Sequence, residues 1–122
     1  MYETGAGFEV DTIEEQYIYY DKGGKFEPHV DTQCNPMKDC ILGKEQMYPR
    51  LFTYLFFLNT DWKESDGGYY HTYYNWPALN IKQRVEPTLG KTVIIRADKT
   101  YHSAEVVNTV KRAISLFINV KP

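Results

Sequence analysis

The sequence predicts an all-β fold, a double-sheet jelly roll or a closed barrel. Three observations predict it. Tyr, Val, Ile, Phe and Thr are abundant, Pro and Gly punctuate the chain at short intervals, and no stretch of a dozen residues holds a 3.6-residue apolar period. At 122 residues, 43% hydrophobic and 16% aromatic, the chain is expected to form one domain with a core of its own.

Eight strands follow in order. Glu14–Tyr20 ends in a tyrosine-rich run, and the glycine turn at Gly23-Gly24 leads into Phe26–Asp31. Arg50–Asn59 is almost continuously apolar, which predicts a central strand covered on both faces. Gly68–Tyr74 starts at a glycine pair, and its tyrosines suit half-buried sheet positions. Ile81–Val85 and Thr92–Ala97 are short and β-branched, and the turn 97–101 sets up His102–Val107. The last strand, Lys111–Val120, divides into two faces: Arg112 shares one with Ile114, Leu116, Ile118 and Val120, and Ala113, Ser115, Phe117 and Asn119 form the other. Three connections stand out: residues 32–49, with Cys34 and Cys40; residues 61–67; and residues 75–80, with Trp76.

The charge of -2 and pI near 5.9 arise from mixed signs without a basic run, so nucleic acid is not an expected partner. No apolar window is long enough to cross a bilayer and no leader-like start is seen, so a soluble, cytoplasmic chain is expected. Cys34 and Cys40 could pair or stay free, and their spacing matches no compact zinc motif.

The chemistry-bearing residues begin with His29 and Asp31. Two residues apart on a strand, they project from one face and could grip one ion. Of the other histidines, His102 is the better third ligand, because it opens a strand that a jelly roll can fold back beside His29. His71 reads as a strand or pocket residue. Two imidazoles and one carboxylate on one face of an octahedron leave three positions open, the arrangement of non-haem Fe(II) oxygenases. Arg112, on an aliphatic face with no acidic partner evident, is costly to desolvate unless an anionic ligand meets it.

In this order, Tyr20 through His29 and Asp31, Arg50 through Leu58-Asn59 and Trp62, Gly67-Gly68, Glu86-Pro87, Gly90, His102 and Arg112 resemble the Fe(II)/2-oxoglutarate-dependent dioxygenases, in the prolyl 4-hydroxylase-like branch. The resemblance implies a double-stranded β-helix with little or no N-terminal helical layer, residues 1–16 being an extension and 17–120 the core of a single catalytic domain. It implies Fe(II) held by His29, Asp31 and His102, and 2-oxoglutarate as co-substrate with its distal carboxylate on Arg112 and Tyr20 pointing at it. Ascorbate is an accessory in such a system. The reaction implied is hydroxylation by O2, coupled to decarboxylation of 2-oxoglutarate to succinate and CO2, on a prolyl residue of a peptide or on a small molecule. One departure concerns the tyrosine that relatives carry late in the third strand: Phe56-Phe57 stands there, and Tyr70 offers a hydroxyl in its place. Without the helical layer, the exposed sheet invites an oligomer. The competing reading is a cupin-type jelly roll that binds a metal or a sugar without oxygen chemistry.

Overall fold

The computed structural model describes residues 9–31, 50–74 and 78–121. Cys34, Cys40, Trp76 and the connection 32–49 lie outside them. Eight strands are present: β1 (Val10–Tyr20), β2 (Phe26–His29), β3 (Arg50–Phe57), β4 (Tyr70–Tyr73), β5 (Ile81–Val85), β6 (Thr92–Arg96), β7 (His102–Ala104) and β8 (Lys111–Val120). They form two four-stranded antiparallel sheets, a major one in the order β1-β8-β3-β6 and a minor one in the order β2-β7-β4-β5. This alternation of strands between two facing sheets is a double-stranded β-helix.

Strand ends follow pairing more closely than composition. β1 begins at Val10 rather than Glu14, because Val10 and Thr12 find partners at Val120 and Asn119 on the long β8. β2 stops at His29 and has an irregular register against β7. It contains Pro28, which lacks an N–H, and it sits at a sheet edge, where no ladder bond is lost.

β3 is central, between β8 and β6, but it is not covered on both sides. Leu51, Thr53 and Phe57 are buried, whereas Phe52, Tyr54 and Phe56, on the other face, stay half-exposed. The same division runs along β8. Lys111, Ala113, Ser115 and Phe117 are buried toward the minor sheet, and Arg112, Ile114, Leu116 and Ile118 face away from it. The expectation that the more aliphatic side of this strand faces inward is therefore corrected. The interior holds a cavity, so small residues, Ala113 and Ser115, line it, and the bulky aliphatics lie outside.

The packed core is a cluster of Phe57, Tyr70 and Ala113, with Ile18, Leu55, Val85 and Val93 against it. The Phe57 and Tyr70 rings meet edge-on with centroids 6.2 Å apart. Gly67 and Gly68, at φ of 69° and 78°, make the approach to β4. A Cβ on Gly67 would lie 2.5 Å from the Val106 carbonyl oxygen, so only glycine fits there.

Candidate metal centre

His29 ends β2 and His102 begins β7; the two are directly opposite in the antiparallel ladder. Their rings tilt together with centroids 4.2 Å apart. Asp31 follows β2, its N–H donating to the Ala97 carbonyl at 3.0 Å. That bond ties the aspartate to the turn that leads into β7. The result is a cluster in which His29, Asp31 and His102 each offer a ligand atom, all within 4.8 Å of one another.

The hydrogen bonds fix what these atoms offer. His29 Nδ1 donates to the Glu27 carbonyl at 2.7 Å and His102 Nδ1 to the Thr100 carbonyl at 3.0 Å, which leaves both Nε2 atoms as lone-pair donors in the neutral rings. These Nε2 atoms lie 3.3 and 3.1 Å from Asp31 Oδ1. Two nitrogen lone pairs and a carboxylate oxygen repel unless a proton or a cation sits among them. This donor set fits a divalent transition metal. The second carboxylate oxygen accepts from Thr53 Oγ1 at 2.6 Å. Burial opposes ionisation of Asp31, but His102, His29 and the Thr53 hydroxyl outweigh it and hold the carboxyl far below its usual range.

The cluster opens on a cavity of about 320 Å³ between the sheets, in the range of small-ligand sites. Tyr70 lines it, buried and stacked on His102 with centroids 5.6 Å apart. Burial and the nearby Asp31 push the Tyr70 and Tyr20 hydroxyls to higher pKa, so both stay protonated donors.

Among the described residues the unpaired cation lining the cavity is Lys111, not Arg112; Arg50, the other cation there, is paired with Glu14. Lys111 is 4% exposed, its Nζ donates to the Gly68 carbonyl at 3.1 Å, and it lies 4.7 Å over the Tyr20 ring. No carboxylate pairs with it among the described residues, and burial lowers its pKa to about 8. Arg112 is one residue further along β8 and so projects from the opposite face. There it is exposed, 5.6 Å over the Tyr19 ring.

Sequence reasoning also passed over Thr53 and Arg50. Arg50 Nη1 donates to the Asp31 carbonyl at 3.2 Å, its Nη2 pairs with Glu14 at 3.1 Å, and its guanidinium covers the Phe117 ring at 3.8 Å. The signal for Thr53 was a small hydroxyl residue on the inward face of an otherwise apolar strand. His71 is no part of the site: it faces away, and its Nε2 meets Glu105 Oε2 at 2.6 Å.

Residues 15–119 match the 2OG-Fe(II) oxygenase superfamily. A comparison with curated proteins finds no match. Among solved structures, a Pseudomonas putida prolyl-4-hydroxylase superposes with a TM-score of 0.72 at 16% identity, covering 90% of this chain and 54% of that one. A Trichoplax adhaerens prolyl hydroxylase, solved with a hypoxia inducible factor peptide fragment, gives 0.73 at 16% identity, covering 93% and 47%. A Phytophthora capsici prolyl 4-hydroxylase gives 0.64 at 23%, covering 88% and 32%. The chain thus spans about half the length of the first two structures and shares its β-helix with all three. With the matched segment running from β1 to the end of β8 and enclosing the whole cluster, the chain belongs to the 2OG-Fe(II) oxygenase superfamily, whose cofactors are Fe(II) and 2-oxoglutarate.

Proposed function

We propose that the chain is an Fe(II)- and 2-oxoglutarate-dependent hydroxylase, with His29, Asp31 and His102 holding the metal and Lys111 pairing with the distal carboxylate of 2-oxoglutarate. The observation that carries this reading is the cavity itself, with a three-ligand cluster among its walls and a buried ammonium that no carboxylate among the described residues neutralises. A dicarboxylate supplies that partner, and the Lys111 charge becomes favourable once paired. Fe(II) bound here would supply oxygen activation and substrate oxidation.

The chain's own residues position and shield. Thr53 and the Asp31 backbone bonds hold the carboxylate in place, and the carbonyls of Glu27 and Thr100 orient the two imidazoles. Tyr20 and Tyr70 supply hydroxyls and ring faces along the cavity, with Phe57 keeping the wall between them apolar. Tyr20 supports Lys111 from below, so the ammonium reaches the ligand with little freedom left to lose.

For the substrate, we propose a prolyl residue in a peptide. The support is the shared fold with prolyl hydroxylases, one of them solved with a peptide, so this part rests on analogy. Turnover is read as succinate formed from 2-oxoglutarate with proline-containing peptides and with small-molecule pools. Asp31→Ala removes the only carboxylate of the cluster and is expected to abolish succinate formation and Mn(II) binding together. Calorimetry with 2-oxoglutarate, with and without Mn(II), tests the site directly: binding that ignores both the metal and Lys111→Met would refute the assignment and favour a cupin-type binder.

A further inference from the structure

The outer face of the major sheet offers a second observation, independent of the cavity. Row by row across the strands it presents Tyr17, Ile114 and Phe56, and next to these Glu15, Leu116 and Tyr54. On the other side of the first row lie Tyr19 and Arg112. Tyr17 and Tyr19 are 59% and 51% exposed, and the apolar residues of β8 and β3 on this face are half-exposed. Monomers rarely leave so continuous an apolar surface open to water. The face measures about 19 Å across four strands and about 20 Å along them, about 760 Å² over two copies, the size of a weak, reversible interface.

Its charges are placed in a particular way. Glu15 and Arg112 are both exposed, and neither has an ion-pair partner among the described residues. They lie one row to either side of the row of Tyr17, Ile114 and Phe56 and on adjacent strands. A two-fold axis in the plane of the face, perpendicular to the strands and through that central row, lays β1 on β1 and brings Arg112 of each copy into the row of Glu15 of the other, one strand to the side and within reach of two long side chains. It stacks the apolar row upon itself. An axis parallel to the strands instead lays β1 on β6, which sets Glu15 against Ile94 and leaves both charges buried alone.

We propose that this face is a self-complementary docking surface for a second copy of the chain, closed by two reciprocal Glu15–Arg112 ion pairs around Tyr17, Ile114 and Phe56. Such an isologous interface has an apolar centre and a charged margin.

Sedimentation equilibrium of the full chain tests it. The wild type is expected to form a dimer. E15R and R112E each place like charges opposite one another twice and are expected to weaken the dimer on the order of a hundredfold. The double variant E15R/R112E restores opposite charges and is expected to return to near wild-type dimerisation. Circular dichroism on every variant shows that the fold is kept. A wild type that stays monomeric at about 100 μM, a dimer indifferent to both single reversals, or a double variant no better than either single one would each overturn the proposal.

Discussion

Lys111→Met isolates the tension built into the cavity. Lys111 is buried, and its pKa falls from the ordinary 10.5 to about 8, so holding the charge there costs about 3 kcal/mol relative to a solvated lysine. The bond to the Gly68 carbonyl returns on the order of 1 kcal/mol, and methionine fills much the same volume. Lys111→Met is therefore expected to stabilise the ligand-free protein by about 2 kcal/mol at pH 7. The pH dependence has a definite sign. The unfolded lysine keeps its proton to about pH 10.5 and the folded one loses it near 8, so between those values the unfolded chain binds more protons and wild-type stability rises with pH. By pH 9 the wild type should recover roughly 1 kcal/mol of the variant's advantage. Urea denaturation of both proteins at pH 7 and pH 9, without metal or 2-oxoglutarate, measures this. With Mn(II) present, 2-oxoglutarate should raise the midpoint of the wild type and leave that of the variant unchanged. A variant less stable than wild type at pH 7, or a gap that does not narrow by pH 9, would show that the ammonium is not held against its solvation.

Other outcomes are equally specific. Arg112→Ala should leave 2-oxoglutarate affinity within about twofold, because the side chain lies on the far side of the sheet; a tenfold loss by calorimetry would return it to the cavity. Thr53→Val removes the 2.6 Å bond to Asp31 Oδ2 and should weaken Mn(II) binding by about 10-fold, read by titration. Gly68→Ala places a Cβ 2.8 Å from Val107 Cγ2 at a φ of 78°, and should cost about 2 kcal/mol in denaturation while disturbing the carbonyl that Lys111 uses. Ser115→Ala deletes a buried hydroxyl that has no partner among the described residues and should raise ligand-free stability by about 1 kcal/mol, measured by the urea midpoint.

The two-sheet architecture was legible because period-two patterning and turn residues are local signals, and Ile81–Val85 and Lys111–Val120 emerged with the expected limits. That His29, Asp31 and His102 meet was legible for a related reason: two share a face by spacing, and the third follows a tight turn. The identity of the cavity cation was not. Reading β8 by apolarity assigned the bulky aliphatics to the interior, as in a solid core. A ligand cavity inverts that rule, because Ala113 and Ser115 must leave room and Lys111 shares their side. A one-residue error of parity then moved the choice from Lys111 to its neighbour. Arg50 and Thr53 were hidden differently: their value lies in contacts with Asp31, 19 and 22 positions away, which spacing within a strand does not reveal.

Strand β8 carries two cations joined by one peptide bond yet facing separate compartments. Because β8 is laddered to β1 on one edge and β3 on the other, neither side chain can swing to the opposite side without tearing both ladders. Arg112 is accordingly no reserve for Lys111. A guanidinium stands one step away from a lost Lys111, and the sheet keeps it out.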